Sequence, residues 1–585
     1  MIWYWMKRRN ELQKMNKFVC FWPALQCIYY YCKSTFLSTF STKLMPRLLL
    51  SFSFFFVLSL SFSQQRFTRA DSLRGSITPE RAWWDLNYYH LDIQVFPERK
   101  SISGTNTIRY KVSSEHQLMQ VDLQDPMMMT AVTQDGEKLK ISKEGAAHFI
   151  HLVKKQIPGK FEELVIYYEG QPKEAVRPPW DGGITWQKDN NGKHFIASSN
   201  QGIGSSVWWP SKDHPADEVD SMMISVTVPR GLMNISNGRL RKLDRKEHTD
   251  TFHWFVSNPI NDYGVNINIG DYVHFSEKYQ GEKGELDMEY YVLRDNLEKA
   301  KIQFRDAVRM MEAFEHWFGP YPFYEDSYKL VEAPYLGMEH QSSITYGNGF
   351  ENGYLGTDLS GTGWGMKFDF IIIHESGHEW FANNITYKDV ADMWIHESFT
   401  NYSESLFVDY FYGKEAGQEY VRGTRTRIDN KLPIIGRYSV NHRGSGDMYY
   451  KGGNILNTLR EITNDDEKWR SILRGLNSEF YHQTVATEQV ENYIAQEIGI
   501  DLSAFFDQYL RNSSLPVLEH YFSDENTLNF RWTNCITSFD MPVDLELGEI
   551  KIRVFPTTKW AELKVDQRSE VKVDLDYYVG SFKLR

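Results

Sequence analysis

Residues 368–386 read FDFIIIHESGHEWFANNIT. An apolar run from Phe368 to Ile373 leads into His374, Glu375 and His378. On a helix, positions i and i+4 share a face, so both imidazoles can reach one ion. Glu375 follows the first histidine closely enough to take a proton from a water held there. Nineteen positions after His378 stands Glu397, in DMWIHESFTNYSE (392–404), which is also helical in pattern. Two histidines and one carboxylate leave a tetrahedral zinc with an open position, the arrangement of a catalytic site. His396 competes as a ligand but stands about 100° round the helix from Glu397, and Glu397 is preferred. Glu404 and Asp409 read as solvated helix carboxylates. Without Glu397, the two histidines would read as an ordinary surface pair on an amphipathic helix.

Outward from this stretch the pattern divides the chain. Leu297, Phe304, Val308, Met311 and Phe318 keep helical spacing up to Gly319-Pro320, and further helical stretches run over 368–384, 395–412 and 455–462. From about 77 to 279 the period is two, as in Leu91, Ile93, Val95 and Ile108, Tyr110, Val112. Period two returns in Ile550, Ile552, Val554 and in Val571, Val573, Leu575. The sequence therefore predicts a multidomain α+β protein with an antiparallel β domain over 64–284, a mostly helical domain over 285–515 and a small C-terminal β-sandwich over 516–585. Residues 512–516 (Asn-Ser-Ser-Leu-Pro) are the expected linker.

The 585-residue chain is 41% hydrophobic and 15% aromatic, which excludes a disordered polymer. Its mean hydropathy of −0.50 excludes a multi-pass membrane protein. The net charge is −12; residues 1–63 hold eight basic residues and one acid, so the remainder carries 57 basic against 76 acidic residues, a net of −19. Such a body lacks the footprint of a nucleic-acid binder. Met45-Pro46-Arg47 followed by LLLSFSFFFVLSLSFS fits an export signal cleaved before Gln64; a membrane anchor is the alternative, although the run is short for a span. On this reading Met45 is the expected natural start and residues 1–44 a false upstream extension, no stable membrane span follows cleavage, and the protein is periplasmic or secreted. Cys20, Cys27 and Cys32 fall in the removed part, leaving Cys535 without a partner for an internal disulfide.

HExxH, eighteen intervening residues and then Glu resembles the M1 family of gluzincin aminopeptidases, which includes aminopeptidase N and leukotriene hydrolase. The family's Gly-x-Met-Glu-Asn motif has a counterpart in Gly337-Met338-Glu339-His340, shortened by one residue and with His in place of Asn. Its Tyr-x-Lys-Gly motif appears as Tyr449-Tyr450-Lys451-Gly452. The resemblance covers about 80 to 585 and implies a thermolysin-like catalytic domain, one zinc per chain and removal of N-terminal residues from peptides with free N-termini.

By the same resemblance, His374, His378 and Glu397 hold zinc and Glu375 is the base. Glu339 binds the substrate ammonium, with Gly337 and Met338 beside it, and Tyr449 rather than Tyr450 stabilises the oxyanion. Gln201, in SSNQGIGSSVWWP, matches the polar residue that the β domain contributes to the amine subsite, or else caps a turn. Departures are His396 before the ligand Glu, Ser398 after it and Glu379 after the second His. The residues after 516 read as strands, so the family's large C-terminal helical domain is expected to be missing from this chain. A non-peptide substrate such as an epoxide, and a non-catalytic binding protein on the same fold, are the alternatives. Nothing in the sequence fixes the oligomeric state.

Overall fold

The computed structural model describes residues 67–585; the expectations for the leader, Met45 and the first three cysteines lie outside the described residues. Alternating burial builds the N-terminal region. In Trp84–Phe96, Leu91, Ile93 and Val95 are buried while Asp92 is exposed. This strand and Ser101–Val112 form the middle of an eight-stranded sheet. The sheet is antiparallel except where Trp84–Phe96 runs parallel to Ser221–Pro229. Alternation marks the buried face but carries no information on pairing direction. A three-stranded sheet holding Met119 and Ile150 and a four-stranded sheet holding Ile196 and Ile269 close over the same core.

A five-stranded sheet leads into the helical region, in the order Tyr272–Gly281, Gly284–Leu293, Tyr328–Glu332, Ile344–Tyr346, Gly337–Met338. Its first hairpin straddles the expected junction at 284, so the β and helical regions are joined through a shared sheet. Gly337–Met338 is the edge strand, paired only with Ile344–Tyr346. The helices Arg305–Phe318, Phe370–Gly377, Trp394–Tyr412, Lys414–Thr424 and Tyr450–Thr463 share one apolar core with this sheet. The expected helix over 297–318 is two, Leu297–Gln303 and Arg305–Phe318, separated at Phe304. The one expected over 368–384 stops at Gly377; beyond it Phe381 has φ −127° and ψ 79°, outside the helical region.

Residues 516–585 form two facing sheets, of four and three strands. Leu518, Leu528 and Trp532 from one and Val543 and Leu545 from the other are buried in a core continuous with the helical region. Leu575, expected to extend the strand Val571–Val573, is 70% exposed beyond its end. The 512–516 segment is tied down: Gln508 Nε2 donates to the Ser514 carbonyl (2.7 Å) and Lys451 Nζ to that of Asn512 (3.2 Å). Arg553 donates to the carbonyls of Glu461 and Ile462 (2.7 and 2.8 Å), capping the C-terminal end of the helix that Tyr449 precedes. Among the described residues no helix is long and apolar enough to cross a membrane.

Candidate functional site

The Phe370–Gly377 helix starts where Asp369 accepts from the amides of Ile371 (3.1 Å) and Ile372 (3.4 Å). It is buried on every side. A Cβ on Gly377 would lie 2.7 Å from Ser403 Oγ, so glycine there lets this helix approach Trp394–Tyr412 closely. That approach brings one ligand atom each from His374, His378 and Glu397 within 4.8 Å of one another. His374 Nε2 and His378 Nε2 lie 3.9 and 3.5 Å from Glu397 Oε2.

The other ring nitrogens are already engaged. His374 Nδ1 is 2.8 Å from Glu404 Oε1, and His378 Nδ1 is 3.1 Å from the Phe381 carbonyl. With Nδ1 donating to these acceptors, both Nε2 atoms present lone pairs toward Glu397. Burial pushes His374 down to about 4 and also lowers His378, which keeps both in the neutral form a metal requires. The donor set fits zinc. A second group, Glu339, Glu375 and His378, meets the same distance condition, so three carboxylates and two imidazoles converge on one space. Burial, then Glu339, then Glu397 push Glu375 well above the carboxylate range. Burial first, then Glu339, lift Glu397 to about 7 against the pull of His378. Such crowding calls for a cation.

Glu404, expected to be solvated, is fully buried. Besides orienting His374, it accepts from Asn401 Nδ2 (3.1 Å) and Tyr420 Oη (2.6 Å). Its spacing from Glu397, seven residues, places both on one helix face, a signal the sequence carried. Asp409 is likewise engaged, with Arg460 at 2.7 Å. His396 faces elsewhere: Tyr387 N donates to its Nε2 (3.0 Å), which leaves Glu397 as the carboxylate of the set.

Gln201 Nε2 donates to Glu339 Oε1 (2.6 Å) and to Glu397 Oε1 (3.0 Å), so the loop of the β domain reaches the metal-binding group. Glu339 is buried and follows the edge strand. A Cβ on Gly337 would lie 2.8 Å from Glu375 Oε1, so only glycine admits that strand beside the HExxH helix. Glu379 organises the segment after Glu339: it accepts from Ser342 N (3.1 Å), Tyr321 Oη (2.6 Å) and Asn383 Nδ2 (2.9 Å), and Asn383 also donates to the Glu339 carbonyl (2.9 Å). His340 is fully buried, and burial pushes it to about 3.

Tyr449 stacks with His374 at 6.4 Å between centroids. Burial and the Glu397 and Glu339 charges push its phenol well up, so it stays a donor. Ser398 Oγ donates to the Met448 carbonyl (2.7 Å), tying the Glu397 helix to the residue before Tyr449. A Cβ on Gly452 would lie 2.0 Å from Ser398 Oγ, which explains the glycine of Tyr-x-Lys-Gly by close packing. All the expected site residues line one cleft of about 430 Å³. Trp180, Tyr354, Asn401 and Arg443 also line it and carry no local sequence signal.

Two family models match the chain: the Peptidase M1 N-terminal domain over residues 86–263 and the Peptidase family M1 domain over 302–509. Together they span more than half of it, and the chain belongs to peptidase family M1. It is 22% identical over 352 residues to the Tricorn protease-interacting factor F2 of Thermoplasma volcanium, covering 58% of this chain and 43% of that protein. It is 23% identical over 380 residues to probable aminopeptidase 2 of Sulfurisphaera tokodaii, covering 62% and 46%. The chain thus spans about half the length of the curated relatives it matches. A crystal structure of a mutant M1 zinc metallopeptidase from Deinococcus radiodurans shares the fold at a TM-score of 0.62 and 20% identity, covering 73% of this chain and 94% of that one.

Proposed function

We propose that the protein is a zinc-dependent aminopeptidase that releases N-terminal residues from peptides, with His374, His378 and Glu397 holding one zinc per chain. The observation that supports it best is Gln201 bridging Glu339 and Glu397, which sets an ammonium-binding carboxylate beside the metal-binding one. Glu339 accepts from the substrate ammonium. Gln201 spends its amide nitrogen on the two carboxylates, which leaves its oxygen as a further acceptor. An amine held there puts the first peptide bond at Glu375, so cleavage stops after one residue.

Zinc, when bound, supplies Lewis acidity at the scissile carbonyl. Glu375 takes a proton from the attacking water and returns it to the leaving nitrogen. Tyr449 donates to the oxygen that gains charge, an interaction worth about 3 kcal/mol at such sites. The test is metal analysis with reconstitution. About one zinc per chain and peptide turnover abolished by chelation and restored by zinc are expected; turnover indifferent to chelation would contradict the proposal. Export to the periplasm or medium is proposed with it, supported by the apolar run after Met45. Sequencing the mature N-terminus checks this, and an end other than about Gln64 would count against it.

A further inference from the structure

The cleft is strongly acidic at one end, with Glu339, Glu375 and Glu397, and Arg443 is the only Lys or Arg lining it among the described residues. In a body carrying an excess of acid, Arg443 forms no ion pair or side-chain hydrogen bond among the described residues. It is exposed at the cleft wall, in the segment that leads to Tyr449.

Its backbone is nonetheless held. Ser445 N donates to the Pro433 carbonyl (3.1 Å) and Gly436 N to that of Ala391 (3.0 Å). Asp447 accepts from the amides of Asp429 and Asn430, both at 2.8 Å. A Cβ on Gly444 would fall 1.4 Å from the Ile434 carbonyl oxygen, so the chain crosses itself next to Arg443 where no side chain fits. A guanidinium presented from a fixed loop, without a partner, suits a planar anion that arrives with the substrate.

The position along the cleft indicates which end of the substrate that is. Gln201 and Glu339 belong to the amine end; Arg443 belongs to the wall that carries Gly444, Gly446, Met448 and Tyr449. Arg443, Gly444, Gly446, Met448 and Tyr449 follow one another along a single stretch of the lining, whereas Gln201 is hydrogen-bonded to Glu339 at the amine end. The guanidinium therefore goes with the Tyr449 segment and not with the Gln201–Glu339 pair. We propose that Arg443 binds a substrate carboxylate on the leaving-group side of the cleaved bond, so that the cleft selects short zwitterionic peptides. The assignment rests on the aminopeptidase reading for its direction. Its chemistry fits either the terminal carboxylate of a di- or tripeptide or an acidic side chain next to the cleaved bond.

Steady-state kinetics on Ala-Ala-Ala, its C-terminal amide and Ala-Asp-Ala amide, with wild type, Arg443→Gln and Arg443→Lys, test it. Binding of the same peptides to Glu375→Ala protein by calorimetry gives a readout without turnover. The wild-type KM for the free acid should lie about 10-fold below that for the amide, with kcat similar. Arg443→Gln should erase the difference by raising the free-acid KM, and Arg443→Lys should restore part of it. Recovery of low KM by Ala-Asp-Ala amide would identify the side-chain carboxylate as a ligand; its absence would leave the terminal one. Equal KM for acid and amide in wild type, or a preference surviving Arg443→Gln, would overturn the proposal. Calorimetric preference for the acid without any cleavage would sink the peptidase reading and keep Arg443's role; cleavage without preference would do the reverse.

Discussion

The two walls of the cleft hold their side chains by different means. On the metal wall, His374 and Glu397 stand on helices buried on nearly all sides and His378 caps the end of the first, and each imidazole is fixed by a second contact, from Glu404 or the Phe381 carbonyl. Gln201 and Arg443, which line the same cleft, stand on loops. Gln201 sits in a turn closed by Gly204 N donating to the Asn200 carbonyl (2.7 Å), and Arg443 sits beside the Gly444 crossing. Buried helices hold geometry to the tolerance that bond-breaking needs, whereas loops vary cheaply and set what is admitted. Substitutions on the metal wall should thus act on kcat or metal, and those on the loop wall on KM.

The sharpest division comes from Glu375→Ala. Turnover should fall by about 1,000-fold with zinc retained, as expected for loss of a general base; peptide assays beside metal analysis check both halves. Tyr449→Phe removes one oxyanion donor and should lower kcat about 100-fold with KM nearly unchanged. Glu404→Gln keeps the shape but loses the carboxylate behind His374. Zinc affinity should drop about 10- to 100-fold, read by competition with a chelator. An unchanged affinity would mean that the helix alone orients the ring. Gln201→Ala, on the loop wall, should raise KM about 10-fold and leave kcat within about twofold; a change confined to kcat would break the comparison.

The smallest effect is on stability. Burial pushes Glu404 to about 8 and Glu379 to about 7. Their unfolded forms ionise near pH 4.5, so the stability they contribute is complete below that and is lost as pH rises through 7 to 8. The melting temperature of chelated protein should fall by a few degrees between pH 6 and 8.5, and less in Glu404→Gln.

The metal wall was legible because its signals are local. The i, i+4 pair and the following Glu397 need only a helix to become a site. Glu404 is readable by the same geometry, at i+7 from Glu397, yet taken alone it reads as a solvated carboxylate because burial of a helix face leaves no mark on one residue. Gln201 is named only by the resemblance of its surroundings, since it meets Glu339 across 138 residues, and Arg443 is distinguished only by the lack of a side-chain partner among the described residues. The period-two pattern marked the buried face of Trp84–Phe96 but not its parallel neighbour, because alternation is the same in either pairing direction. It also overran at Leu575, which is 70% exposed beyond the strand's end.

That the cleft recognises a free amine before it cleaves is tested most directly with residues 64–585 and matched short peptides, half with free and half with acetylated N-termini, read by mass spectrometry with Glu375→Ala as the blank. Stepwise loss of single residues from the free set alone is the expected result. Internal cleavage of both sets would contradict the role of Glu339 and Gln201 and make the protein an endopeptidase.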